Sequence, residues 1–315
     1  MVKNVKSRIK GLLKSQSGFT LIELIIVVGI MGFLVAMIAP RLAGVMSGAV
    51  DQVCDSNQTR LQQVLGTYTE KNNNIPAGLT NLVIEESAGN YVAMNAAGMV
   101  DDNDKSNGAE VFSSEFIGGV KATLHTLNAA EAEELRGMGI TSLFNLNVSK
   151  AVTEYNGNEM SWNENIPDST VGFMAPAEIE EGLTVMMYGG GSTDTAANAS
   201  ALSGELRQPD LAYRIILGVG PESNLVKEGL ITKAGMCPGG LQRSDHFAYN
   251  NYNIALPRLA ETVKRLPATE VEFEDGLTGR TTTFEFEAQE PYQATTLCPE
   301  GHTIAGTAGE WTVAP

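Results

Sequence analysis

From Phe19 to Ala39 the chain is apolar for 21 residues, interrupted only by Thr20 and Glu23. A helix of that length rises ~32 Å, about the thickness of one hydrocarbon core. Met1–Ser17 ahead of it holds Lys3, Lys6, Arg8, Lys10 and Lys14 and no acid. Basic residues before the stretch and acids after it place the N-terminus in the cytoplasm. Three readings compete for this segment. An ordinary secretory signal peptide has a shorter apolar region and a small-x-small cut site after it, which Met37-Ile38-Ala39-Pro40 fits badly. A plain uncleaved anchor accounts for the length but not for Glu23, since a carboxylate inside a span is costly unless it is paired. The third reading has the chain cut just before the span, so that a new terminal amine arises beside that carboxylate.

The third reading rests on the junction Gly18-Phe19-Thr20-Leu21-Ile22-Glu23-Leu24 and the apolar run that follows to Pro40. This pattern resembles the cleavage site of type IV prepilins and the related pseudopilins. The resemblance implies that a prepilin peptidase cuts after Gly18 and methylates the amine of Phe19. It implies that Glu23 serves assembly and that Pro40 marks where the helix leaves the bilayer. It further implies an α+β, pilin-like fold, with a long N-terminal α-helix packed on an antiparallel β-sheet. The expected partners are like subunits in a homopolymer or related pilin subunits, the prepilin peptidase, the inner-membrane assembly machinery, and membrane lipid before assembly. The expected location is the inner membrane, single pass, and then a periplasmic or surface filament. The expected role is the structural subunit of a type IV pilus-like filament. The alternative is a type II secretion pseudopilin or a minor tip pilin acting as a binding module. Glu23 would pair with the Phe19 amine of a neighbouring subunit and so set register, or with the amine of its own chain.

The charge pattern narrows the partners. The chain's net charge is −16, and with the basic leader removed it is near −21. Its average field repels phosphate, so nucleic acid is not an expected partner. The three cysteines, Cys54, Cys237 and Cys298, suggest one disulfide and one unpaired thiol in an exported chain. Cys237–Cys298 is the expected pair because both fall late, and the resemblance favours a disulfide near the C-terminus. Closing that loop contributes ~3–4 kcal/mol in the chain-entropy model. Cys54 reads as a small buried hydrophobe on a helical stripe with Val50, Leu61 and Leu65.

The chain divides by pattern into a leader (1–18), an assembly helix (19–39), an amphipathic continuation (40–70), a variable insertion or subdomain between helix and sheet (71–180), and a region of antiparallel strands with the disulfide (181–315). Leu42, Val45, Met46, Ala49, Val50, Val53, Leu61, Val64, Leu65 and Tyr68 recur at helical spacing. Gly29 and Gly32 either let helices approach closely or add flexibility. Lys71–Pro76 ends the helix. Asn128–Arg136 predicts a short helix with Asn128 as N-cap, Glu131 closing a capping box and Gly137 as the stop. Strands are expected at Leu183–Tyr188, Tyr213–Val219, and in a hairpin of Val271–Glu274 with Thr282–Glu287. A second short helix is expected within Ala255–Leu266.

No catalytic constellation is legible, and the chain does not read as an enzyme. No cofactor or metal is expected. Asp102–Gly108 partly matches a calcium loop, but its glycine comes late and the closing glutamate is missing. Cys237, His246, Cys298 and His302 lack the spacing of common zinc sites. Asn57, Asn147 and Asn198 head N-x-S/T triplets, which arise by chance in a chain of this length.

Overall fold

Thr20 starts the first helix, and the chain's own polar groups hold that start. α1 (Leu21–Asn72) is 52 residues long. It stops where Asn73 takes a left-handed backbone, φ 54°, with its amide donating to the Thr69 carbonyl at 2.7 Å. Asparagine tolerates this conformation better than most residues, and Pro76 follows within reach of the stop. The computed structural model describes residues 20–87, 90–92, 116, 120, 123–146, 174–189, 209–232, 237, 251–266, 268–274 and 280–303, with some positions, 38–51 among them, described by backbone alone. Two compact units result, Met1–Val50 and Asp51–Pro315.

The second unit is built on a mixed sheet. Its strands are β1 (Thr80–Ser87), β2 (Asn90–Val92), β3 (Thr123–Thr126), β4 (Ser142–Leu146), β5 (Met174–Glu178), β6 (Thr184–Met187), β7 (Ile215–Gly218) and β8 (Asn253–Ala255), with β9 (Glu270–Glu274), β10 (Thr281–Glu285) and β11 (Thr295–Leu297) following. Among the described residues the main path runs β11-β8-β7-β1-β4-β5, with β2 beside β1 and β6 joining β3 to β7. β9 and β10 form a separate antiparallel pair. β1 and β4 run parallel; the other pairs are antiparallel.

An α+β chain with a long N-terminal helix is therefore what forms. It differs in two respects from a helix followed by a late antiparallel sheet. One central pair is parallel, and residues 71–180 contribute strands to the sheet itself. β1 comes directly after α1 and sits mid-sheet. Its apolar run is only Leu82-Val83-Ile84, with Leu82 and Val83 fully buried, between polar Thr80-Asn81 and Glu85-Glu86, so it is too short for periodicity to detect. The turn into β1 demands a glycine. Gly78 has φ +73°, and a Cβ there would strike the main-chain carbonyl of Glu222.

Within the second unit, α1 buries Cys54, Leu61, Leu65 and Tyr68 in the core shared with β6, β7 and β8. These positions lie three, four and seven apart, one face of a helix. Val53, which the sequence places on that stripe, is 48% exposed instead. Each buried leucine contributes about 1.5–3 kcal/mol relative to exposure. Gln62 on the neighbouring row closes the sheet edge. Its Nε2 donates to the Ala294 carbonyl at 2.8 Å and its Oε1 accepts from the Thr296 amide at 2.9 Å. A side-chain amide thus stands in for the next strand beside β11.

The predicted short helix is present as α2 (Ala129–Gly137), with Asn128 as N-cap and the full capping box to Glu131. It runs through Gly137, and Met138 is its C-cap. α3 (Asn224–Lys227) and α4 (Ala260–Arg265) follow. The Ala255–Leu266 stretch therefore gives a shorter helix than its length suggests: β8 ends at Ala255, and the helix begins only at Ala260, after Pro257. Two buried arginines tie the connections together. Arg214 Nε donates to the Leu256 carbonyl at 2.6 Å, and Nη2 to the Gln293 carbonyl at 2.5 Å. Arg258 donates to the carbonyls of Ala212, Glu287 and Asp210. Burial, then repulsion from Arg258, lowers Arg214 to about 10, still charged at neutral pH.

Candidate functional site

The functional segment starts at the first turn of α1. Thr20 is its N-cap and Glu23 sits three residues on. The Glu23 carboxylate accepts from the Thr20 amide at 2.8 Å and from the Thr20 hydroxyl at 2.7 Å, both through Oε2. The Glu23 amide donates back to Thr20 Oγ1 at 3.3 Å. This is a reciprocal capping box, and it satisfies amides that the first turn would otherwise leave unpaired. The carboxylate also lies at the positive end of the helix dipole. A local reason for Glu23 thus exists that the charge argument alone overlooks. The signal was in the sequence as Thr20-x-x-Glu23, a threonine followed three residues later by glutamate before an apolar run.

Beyond the cap, every described side chain from Thr20 to Met37 is exposed. Among the large apolar ones the exposure runs from 46% at Val27 to 76% at Leu21. The first unit taken by itself leaves this surface uncovered on all sides. Isolated exposed hydrophobes are ordinary, but a contiguous sleeve of them marks a surface that another apolar phase covers. Cβ atoms built at Gly29 and Gly32 would meet nothing within 4 Å. Among residues whose side chains are described, no helix is long and apolar enough to cross a membrane. The sleeve described in this way stops at Met37.

Gly18 and Phe19 lie outside the described residues. Pro40 falls within α1, which is continuous through it. Glu23 and Pro40 therefore share one helix.

The cysteines lie together in the second unit. All three are buried. Cys54 and Cys237 have their sulfurs 3.2 Å apart, and Cys298 adjoins both of them. Cys237 and Cys298, the pair expected from sequence, thus share their cluster with Cys54. Cys54, set aside as a small hydrophobe, is carried to the other two by α1. Cys298, Glu300 and His302 also offer ligand atoms within 4.8 Å of one another. That grouping shares only Cys298 and His302 with the zinc set weighed from spacing, whose His246 lies outside the described residues. So do the acidic stretch Asp102–Gly108 and the triplets at Asn147 and Asn198; Asn57 is half-buried on α1.

Comparison with known proteins bears on the first turn and the sleeve. Residues 13–39 match the family described as the prokaryotic N-terminal methylation motif. The type II secretion system core protein G of Aeromonas hydrophila is 36% identical to this chain over 78 residues. Those residues make up 24% of this chain and 54% of that protein, so the chain spans about half the length of the curated relative it matches. No solved structure matches. The chain carries the prepilin-type N-terminal motif, and the similarity supports a pilin-like or pseudopilin subunit.

Proposed function

We propose that this chain is the precursor of a type IV pilus-like filament subunit that polymerises by helix bundling after its leader is removed. The observation that carries the reading is the apolar sleeve Leu21–Met37, exposed throughout and headed by Glu23. The motif match over residues 13–39 supports it. In this reading a prepilin peptidase cuts between Gly18 and Phe19 and methylates the new amine. The subunit waits in the inner membrane with its second unit on the outer side. Assembly machinery then extracts it, and contact with lipid is replaced by contact with sister helices. Association in an apolar phase is driven by packing and by the pairing of polar groups, since burial from water offers no gain there.

Glu23 acts in that pairing. Its Oε2 caps its own helix. Its other oxygen, Oε1, meets the amine of an arriving neighbour. A wrongly staggered neighbour leaves the amine and the carboxylate unmatched in a medium of low polarity, at a cost of several kcal/mol. The pair therefore selects register more than it adds net stability.

The experiment is a pair of substitutions in the host. Glu23→Ala leaves cleavage intact and cuts filament yield at least tenfold. Thr20→Ala, which removes the cap but keeps the carboxylate, reduces filament yield far less. Wild-type yield from Glu23→Ala overturns the pairing, and equal losses from both substitutions reduce Glu23 to a helix cap.

A second reading, a type II secretion pseudopilin, is favoured by the similarity to core protein G. Deleting the gene separates the two. Loss of a surface fibre with secretion intact supports the filament, and loss of secreted enzymes with fibres intact supports the pseudopilin.

A further inference from the structure

We infer that Cys54 and Cys237 are the pair that oxidises to a disulfide, fastening α1 to the segment between β7 and β8, while Cys298 stays a thiol. Three sulfurs in one buried cluster allow only one bond, so the surroundings of each decide which two join. Cys54 and Cys237 face each other at 3.2 Å, about 1 Å longer than a disulfide bond. Gln58, one turn along α1, and Tyr252, just before β8, converge on Cys54. The Tyr252 hydroxyl donates to its sulfur at 3.6 Å and the Gln58 amide at 3.7 Å. The position of Cys54 is fixed by the core stripe of α1, which also carries Leu61 and Leu65.

Cys298 is held differently. Its own tight turn closes on it, with the Cys298 amide donating to the His302 carbonyl and the Gly301 amide donating to the Cys298 carbonyl, each at 2.9 Å. The His302 amide donates to its sulfur at 3.3 Å, and His302 Nδ1 stands 3.5 Å from it. Gly301 leaves no room to shift this turn, since a Cβ there would press on Val120 and Phe116. Cys54 and Cys298 also differ as acids. Donation from Cys237 first, then from Cys298, draws Cys54 well below the usual thiol range against the effect of burial. Burial, then the neighbouring sulfurs, raises Cys298 well above it. Thiolate is the form that attacks a disulfide, so Cys54 is the nucleophile and Cys298 the bystander.

The chemistry closes with an external disulfide as oxidant. The Cys54 thiolate attacks it, forming a mixed disulfide and releasing one thiol of the oxidant. The Cys237 thiolate then attacks the Cys54 sulfur. The Cys54–Cys237 bond forms, the mixed bond breaks, and the second thiol of the oxidant leaves as thiolate and takes up a proton. Two protein thiols are oxidised and one external disulfide is reduced to two thiols. The residues joined are 183 apart in sequence, so the bond restricts the unfolded chain more than one between Cys237 and Cys298 would. In the cell the reaction needs a compartment outside the reducing cytoplasm, so there it rests on the function proposed above.

The test maps the pairing in two settings. In the first, the full chain in detergent is reduced without denaturant and re-oxidised with oxidised glutathione. Remaining thiols are then alkylated in denaturant and the digest is read by mass spectrometry. The expected result is a peptide linking Cys54 to Cys237 and a tag on Cys298, unchanged in linkage for Cys298→Ala. A link from Cys298 to either partner, or tags on all three, overturns the pairing. In the second, thiols are trapped by acid in host cells and the leaderless chain is mapped. The same link supports both the pairing and the compartment. Three tagged thiols there, with the link formed in vitro, contradict the compartment while the pairing stands. A different link there contradicts the pairing while the compartment stands.

Discussion

Glu131 illustrates how far a single residue can be read. As the third residue of α2 it completes the capping box with Asn128, and the pattern N-A-A-E announces that role. The remainder depends on residues far along the chain. Glu131 is fully buried. It accepts from His125 Nε2 at 3.0 Å and from the Thr262 hydroxyl at 2.8 Å, and it pairs with Arg265. No spacing rule links positions 125, 131, 262 and 265. Burial disfavours the charge on Glu131 most strongly of any single influence. The bond and charge of His125, the Asn128 amide and the Thr262 hydroxyl together outweigh it and hold the pKa at about 2. The folded value lies below the unfolded one, so the stabilisation is complete above about pH 5 and is lost as pH falls towards about 2. Glu131→Gln removes it. Chemical denaturation should find the variant less stable at pH 7, by on the order of 3 kcal/mol. The gap should narrow steadily below about pH 5 and be largely gone only near pH 2. A gap that stays constant with pH would assign the loss to packing rather than charge.

At the scale of elements, α1 is one helix with two unlike surroundings. Its C-terminal half has an apolar stripe buried against the sheet, and the described side chains of its N-terminal half, Leu21 to Met37, are all exposed. The two halves should answer truncation in opposite ways. Leu65→Ala, at a position 1% exposed, should destabilise the second unit by about 2–5 kcal/mol. Ile25→Ala, at 61% exposure, should leave that stability within about 0.5 kcal/mol of wild type. In a filament assay the order reverses, with Ile25→Ala the more damaging. Equal destabilisation in the melt would contradict the division. Both halves are legible in the sequence because their periodicities differ: apolar all round, then apolar on one face. The stripe misleads at Val53, which points away. The sheet is less legible. The β9–β10 hairpin announces itself by alternation of phenylalanine and glutamate, whereas β1 does not, because a central strand of mixed polarity draws its stability from β4 and β7 rather than from its own pattern.

For the whole molecule, the N-terminal segment carries most of what the sequence says about role, and the second unit carries most of what it does not. The junction at Gly18–Phe19, the capping threonine and the apolar sleeve are local features, written in consecutive residues. The cysteine cluster, the buried arginines and the Gln62 clamp on β11 join positions that only the folded chain brings together. The central claim is that the chain is cut at that junction and then polymerises through the exposed sleeve. Intact mass spectrometry of the chain recovered from membrane and sheared-surface fractions of its host tests this most directly. The account predicts a polypeptide that begins at Phe19 and carries one added methyl group, present in the membrane and enriched in the polymer. A chain that keeps Met1–Gly18 in every fraction, and is absent from any polymer, would contradict it.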